Sequence, residues 1–499
     1  VLGQKTALSG SLMVVARLIS RVIDLFTMLV FARLLSPTDF GLVAIAATIV
    51  LIIEAAMELP LSQALVRLPV IEETYYDTAF TLGLLRGAIL CGLVCGLAFP
   101  FARFYHQPEL GPLICVLSVA PAARGMLNPR MAQYAKDLNF KWEFLFELVG
   151  KVTAFVAGAL VAVLTRSYWS IAVCTVTAPI VIAALSYYLV SFRPRLTLSA
   201  WRVFKDFLGW ISLSQVILAI NWQSDQLLLG KIMRPAQLGL FSTANNLANI
   251  PMLALFSPIL RPLLSAFTML RDEPARLRSS YQSAAAAVVT IGLPLMVGES
   301  LVAGPAVRLM LGAKWLGAIP MLYWLALSLV PTLFAVVITP LGMALNETRQ
   351  LAWRNLFQMC VKLPLVIAGA LMFGFFGVII ARLISEAITA VYCMVVVRRL
   401  IGISMADQIN NFVRPVVSVV VMAGLLMLAT PWFAWGNSTV MLFAELAASI
   451  ALGAAAYCGT LALLWSLAGR PAGVEATCLR MLEQFARRFT KLSAEAKTS

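Results

Sequence analysis

A helix needs about twenty consecutive apolar residues to cross the ~30 Å hydrocarbon core of a bilayer, and this chain supplies such a run again and again. The runs fall at 8–33, 40–66, 79–101, 110–134, 144–165, 168–192, 207–230, 238–263, 279–302, 316–345, 350–373, 375–397, 411–432 and 438–466. Inside hydrocarbon a backbone must satisfy its own polar groups, so apolar runs of this length can only be helices. Composition agrees, with 61% of the 499 residues hydrophobic and only 12% charged, where soluble domains carry about 25% charged residues. The chain is therefore expected to be an all-α polytopic membrane protein of about fourteen transmembrane helices. The proline-bearing runs 110–134 and 316–345 are expected to kink. Val1–Ser9 is read as no signal peptide, because the first apolar run carries on to a full span.

Lys and Arg set the expected orientation. With the N-terminus cytoplasmic, 22 of the flanking cations fall inside and 7 outside. The formal net charge of +15 is then mostly topological, so no nucleic-acid partner is expected. Beyond Ser466, Val474, Cys478, Met481, Leu482, Phe485, Phe489 and Leu492 recur at helical spacing among Arg and Lys. They predict an amphipathic cytoplasmic helix on an anionic membrane surface. His106 is the one histidine and the eight cysteines lack metal-ligand spacing. No metal, cofactor, disulfide framework or catalytic group is expected.

The sequence repeats internally. Ala32-Arg33-Leu34-Leu35-Ser36-Pro37-Thr38-Asp39-Phe40-Gly41-Leu42 parallels Gly230-Lys231-Ile232-Met233-Arg234-Pro235-Ala236-Gln237-Leu238-Gly239-Leu240. In both, a cation ends one helix, a proline stops it, and a glycine opens the next span. Trp142–Leu160 aligns without gaps on Trp353–Leu371, coinciding at eight of nineteen positions, Lys151 with Lys362 among them. Six spans separate the copies, an even number, so both halves enter the membrane in the same direction. That predicts two six-helix lobes in a parallel repeat, 1–200 and 201–400, with two extra C-terminal helices in 401–466 and a tail in 467–499. Transporters of that build bind cargo between their halves.

Ala32–Ala46, read with Asp225–Ala244, resembles the oligosaccharide flippases of polysaccharide biosynthesis, the Wzx-like branch of the MOP exporter superfamily. The resemblance covers roughly residues 5–465 and implies a V-shaped, two-lobed MOP flippase fold. It implies a flippase, not an enzyme, carrying undecaprenyl-pyrophosphate-linked oligosaccharide repeat units from the cytoplasmic to the periplasmic leaflet of a bacterial inner membrane. Exopolysaccharide, capsule or O-antigen synthesis would be served, with membrane lipids, a polysaccharide polymerase and a chain-length regulator as implied partners.

Seventeen ionisable residues fall inside the expected spans. Each costs about 2.5–3.5 kcal/mol at mid-bilayer even on insertion scales, so most must line a wet cavity, pair, or reach the helix ends. The candidate substrate-binding cations are Arg17, Arg21, Arg86, Arg124, Lys151 and Lys362, a set suited to a pyrophosphate. Arg17, Arg21 and Asp24 share one face of the first helix. Asp24 is expected to tether one of those arginines, and Glu54 with Glu58 to answer the same cations. Arg124 and Arg130 flank Pro129, with Arg130 at the cavity or at the cytoplasmic rim. Lys151 and Lys362 stand equally for one shared structural role. Asp225 is either a coupling-ion or proton site or the partner of a nearby cation, and Arg382 with Glu386 reads as an i, i+4 ion pair. Trp222, three residues before Asp225, is the candidate for stacking on a sugar ring.

A peptidoglycan-precursor flippase or an ion-coupled drug antiporter is the nearest alternative. A membrane-bound polymerase or ligase fits less well, because the outside connections are short and carry no paired carboxylates with a histidine. A scaffold role leaves the intramembrane charges unexplained. No phosphate-binding GxxxxGK[ST] loop occurs, so drive must come from a gradient, the membrane potential or removal of cargo.

Overall fold

A computed structural model describes residues 19–68, 71–137, 141–433, 436 and 438–470. Arg17 and the expected tail helix lie outside these residues. Among the described residues every regular element is helical. The first, α1, takes residues 19–34. It is followed by α2 (Pro37–Ala56), α3 (Leu61–Arg67), α4 (Glu73–Tyr105), α5 (Leu110–Leu117), α6 (Val119–Gly125), α7 (Met131–Lys136), α8 (Lys141–Thr165) and α9 (Trp169–Leu189). Then come α10 (Trp201–Ile232), α11 (Pro235–Ala248), α12 (Ser257–Met269), α13 (Pro274–Leu301), α14 (Ala303–Met310), α15 (Ala318–Ser328) and α16 (Ile338–Ala344). Last are α17 (Thr348–Ile401), α18 (Met405–Phe433) and α19 (Thr439–Leu467). Among the described residues, nine stretches are long and apolar enough to cross a membrane.

The start of α2 shows how local chemistry sets the elements. Ser36 caps the helix, its hydroxyl accepting from the Asp39 N–H at 3.4 Å while the Asp39 carboxylate accepts from the Ser36 N–H at 3.0 Å. Pro37 occupies the first turn, where its missing N–H costs nothing. Pro37 thus begins the second helix as much as it stops the first. Asp39 also accepts from the Tyr168 N–H at 3.0 Å, tying this corner to the start of α9.

Several expected spans are broken. The run 110–134 becomes α5, α6 and α7, and 316–345 becomes α15, a 3-10 turn at Val330–Phe334 and α16. Prolines 121, 129 and 331 each remove a donor and crowd the preceding turn. Backbone freed inside hydrocarbon needs partners; at the first break the Arg130 N–H donates to the side-chain oxygen of Asn128 at 3.0 Å, and the N–H of Asn128 itself donates to the Ser186 hydroxyl at 3.2 Å. The Asn128 side-chain amide donates to the carbonyls of Ser186 (3.0 Å) and Val190 (2.9 Å). The runs at 40–66 and 238–263 also break, the first between α2 and α3 at Met57–Pro60, the second by a π turn at Met252–Phe256 just after Pro251. These two pairs of broken runs sit six apart along the chain, so the repeat extends to its interruptions. The expected boundary between 350–373 and 375–397 falls inside α17 at Gly374, whose φ of 58° and ψ of −133° are non-helical. Residues 369 and 377 meet backbone to backbone, whereas eight residues of straight helix span about 12 Å. The chain therefore folds back there.

The chain divides into two compact units. One takes the described residues up to Ala244 with Met310–Ala318 and Asn355–Ala381; the other takes Asn245–Leu309, Ile319–Arg354 and the described residues from Arg382 on. Within the first unit the repeated corner motifs meet each other. A Cβ on Gly41 would overlap the Pro235 carbonyl and lie 3.1 Å from the Gly239 N. A Cβ on Gly239 would overlap the Pro37 carbonyl and lie 2.9 Å from the Gly41 N. Each copy of the motif offers the other the same atoms, so the alignment read from the sequence is also a contact.

Candidate functional site

In the first unit, α2 and α10 pack side by side and enclose between them an open cavity of about 280 Å³. One wall is the face of α2 and its closing turn bearing Leu51, Glu54, Ala55 and Glu58; the other is the face of α10 bearing Gln215, Leu218, Ala219, Trp222 and Gln223. Both walls follow the spacing i, i+3, i+4, i+7, which places residues on one side of a helix.

The polar lining is held from behind. Arg124, at the end of α6, clasps Glu54 through two parallel bonds, Nε to Oε1 at 2.9 Å and Nη2 to Oε2 at 2.7 Å. Such a bidentate fork fixes the carboxylate in direction as well as position. Arg86, on α4, reaches Glu58 at 2.6 Å and the Glu54 carbonyl at 3.4 Å. Two carboxylates one turn apart would repel; each here has its own guanidinium. Gln223 accepts from the Thr48 hydroxyl at 3.3 Å, which leaves its amide N–H groups for another acceptor. Trp222 is 64% exposed.

The structure distributes the expected site residues among separate clusters. Among the described residues Glu54 pairs with Arg124 and Glu58 with Arg86. On α1, Asp24 receives Lys151 at 2.7 Å through both carboxylate oxygens, with Arg21 further off at 3.7 Å. Lys151 also touches Glu147 at 3.5 Å, and the Ser20 hydroxyl donates to Glu147. Arg130 turns away from this cavity to Glu73, at 2.7 Å to both oxygens, and lies over the Phe192 ring. Lys362 sits 3.0 Å from Asp225 with both side chains all but covered, and it donates to the Asn221 carbonyl at 2.6 Å. In the second unit Arg382 donates to the Asn245 side-chain oxygen at 2.8 Å. None of the described cations expected to face cargo lines this cavity directly; Arg124 and Arg86 stand behind its carboxylates.

Sequence reading missed Gln215 and Gln223. Their signal was available: with Trp222 they are polar or amphipathic residues at helical spacing in an otherwise apolar span. Glu73, the partner of Arg130, precedes the expected span and carried no such signal.

A family described as polysaccharide biosynthesis protein matches residues 30–320. The lipopolysaccharide biosynthesis protein WzxC of Escherichia coli (strain K12) is 25% identical over 426 residues, covering 83% of this chain and 85% of WzxC. Among solved structures, the lipid II flippase MurJ in its inward closed conformation matches with a TM-score of 0.73 at 16% identity, covering 91% of this chain and 98% of that one. An inward-facing multidrug resistance MATE family transporter of the MOP superfamily gives 0.58 at 15% identity, covering 78% and 98%. These likenesses assign the fold, an all-α multi-pass membrane architecture shared with both solved structures.

Proposed function

Since the chain belongs to the polysaccharide biosynthesis protein family, we propose that it flips undecaprenyl-pyrophosphate-linked oligosaccharide repeat units from the cytoplasmic to the periplasmic leaflet. The problem such a protein solves is electrostatic. A large polar headgroup must pass about 30 Å of hydrocarbon while its prenyl tail stays in lipid. The observation that carries the reading is the cavity between two apolar helices, with two carboxylates fixed by arginines and Trp222 open on its wall. A chain that only anchors a complex has no use for such a site.

In this reading the parallel halves alternate access by rocking, and the two pyrophosphate charges are met by cations of the first half. Arg21 is the candidate that leads. Its side chain is 51% exposed and its ion pair with Asp24 is long, so a phosphate can compete for its planar fork. The 22-to-7 bias in flanking cations supports an inner-membrane protein with cytoplasmic termini.

The test is reconstitution. Proteoliposomes loaded with lipid-linked repeat units from the encoding bacterium are expected to expose those headgroups to an external sugar-modifying enzyme only when the chain is present. Arg21→Ala is expected to lower that rate at least tenfold with normal insertion. Transport of organic cations without any lipid-linked saccharide, or preference for a peptidoglycan precursor, would overturn the proposal.

A further inference from the structure

We infer that the cavity between α2 and α10 is a subsite for one uncharged sugar ring of the cargo, stacked on Trp222, and not the place where pyrophosphate is read. The inference rests on the flippase reading and deepens it by assigning what the cavity recognises. Three observations point the same way. First, among the described residues the lining carries carboxylates and no cation. Glu54 and Glu58 face the space, and Arg124 and Arg86 are spent in holding them. A phosphate entering here would meet carboxylate oxygens first, and like charges in a partly desolvated site repel. An acidic sugar meets the same obstacle.

Second, the hydrogen-bonding groups suit hydroxyls. Each sugar hydroxyl donates one proton and accepts through two lone pairs. Glu54 and Glu58 are acceptors, and bonds to an ionised acceptor are the strong ones. Gln215 and Gln223 add amide groups that donate as well as accept, and the contact of Gln223 with Thr48 uses only its oxygen. Because Arg124 grips Glu54 by both oxygens, the acceptor's direction is set before cargo arrives, which lowers the cost of ordering it on binding.

Third, Trp222 supplies the apolar half of the contact. A pyranose ring has an edge of hydroxyls and a face of C–H groups. Trp222, 64% exposed among the apolar and polar groups of the cavity wall, is a platform for that face. At about 30 Å³ per water, 280 Å³ corresponds to some nine waters, room for one ring with a little solvent.

The experiment uses the full chain in lipid nanodiscs and two probes. One is the lipid-linked repeat unit extracted from the encoding bacterium; the other is undecaprenyl pyrophosphate without sugar. Trp222→Ala and Trp222→Leu are expected to weaken binding of the saccharide lipid at least tenfold and to leave undecaprenyl pyrophosphate within twofold of the wild type. Trp222→Phe, which keeps a π face, is expected to stay within threefold for both. Should the Ala variant not fold, the Leu and Phe variants decide, since both fill the site. Equal losses on the two probes, or less than a twofold loss on the saccharide lipid, overturn the sugar subsite and leave the flippase reading standing. A wild-type chain that binds neither probe overturns the flippase reading itself.

Discussion

Two lysine–aspartate pairs in the first unit are built to one plan and placed in opposite surroundings. Lys151 and Lys362 occupy equivalent positions of the repeat. Each reaches an aspartate on the neighbouring helix and the backbone carbonyl four residues before it, Asp24 with Ser20 in one copy and Asp225 with Asn221 in the other. The first pair is 23% and 44% exposed at its side chains, the second 5% and 6%. Charges this open cannot face acyl chains, so the first pair must be wet, whereas the second is sealed. The same contact can thus serve as an exchangeable site in one copy and as a strut in the other. The neighbours follow suit: Glu147 and Arg21 crowd the wet pair with further charge, and the position of Glu147 is Gln358 in the sealed copy.

The sharpest way to break this comparison is to cut each pair. Removing one partner of a buried ion pair strands the other charge and costs about 3–5 kcal/mol. Asp225→Asn and Lys362→Met are each expected to lose stability on that scale, measured by unfolding in mixed micelles. The double change Asp225→Leu with Lys362→Met is expected to recover most of it, because both charges of the pair are removed together. Single variants within about 1 kcal/mol of the wild type would mean that the second pair is not a strut.

The next effect tests the place where the two copies are alike. Gly41 and Gly239 meet each other's backbone reciprocally, and the atoms in the way are peptide groups that cannot swing aside. Gly41→Ala and Gly239→Ala are expected to cost about 1–3 kcal/mol each by overpacking, and to cost the same within error. Unequal losses in the same unfolding assay would show that the corner is not used symmetrically.

How much of this was legible turns on what repeats. The helical class, the fold-back at Gly374 and the paired corner motifs followed from apolar run length and from residues that recur at fixed offset. The equivalence of Asp24 and Asp225 did not. Aligning the corners at an offset of 198 sets Asp24 against Trp222, while the aspartates are 201 apart. Three residues are close to one helical turn, so the second aspartate shows the same face from the next turn, a shift that no gapless alignment reports. The partners of Glu54 and Glu58 were equally hidden. They depend on where α4 and α6 stand relative to α2, which is a tertiary outcome.

Cutting the wet pair should look different from cutting the dry one. Exposed ion pairs contribute about 0–1 kcal/mol, so Asp24→Asn and Lys151→Met are expected to leave unfolding nearly unchanged. Polymer export, scored in cells lacking the native chain, is expected to fall at least tenfold with normal protein levels, because Arg21 beside them is the proposed pyrophosphate contact. Stability losses as large as those at Asp225 would erase the distinction between the copies.

The smallest effect is the most informative about why the copies diverged. Glu147→Gln writes the second repeat's residue into the first, and the position lies beside the pair, not in it. Glutamine can still accept from the Ser20 hydroxyl, and Lys151 keeps its 2.7 Å contacts with Asp24. The expected change in stability is within about 0.5 kcal/mol, as for most exposed substitutions. Export should also be nearly normal if the wet copy differs from the dry one only by exposure. A chain that unfolds like the wild type but no longer exports would show instead that the extra negative charge beside Lys151 is itself needed. The asymmetry between the halves would then be written in charge, not in burial.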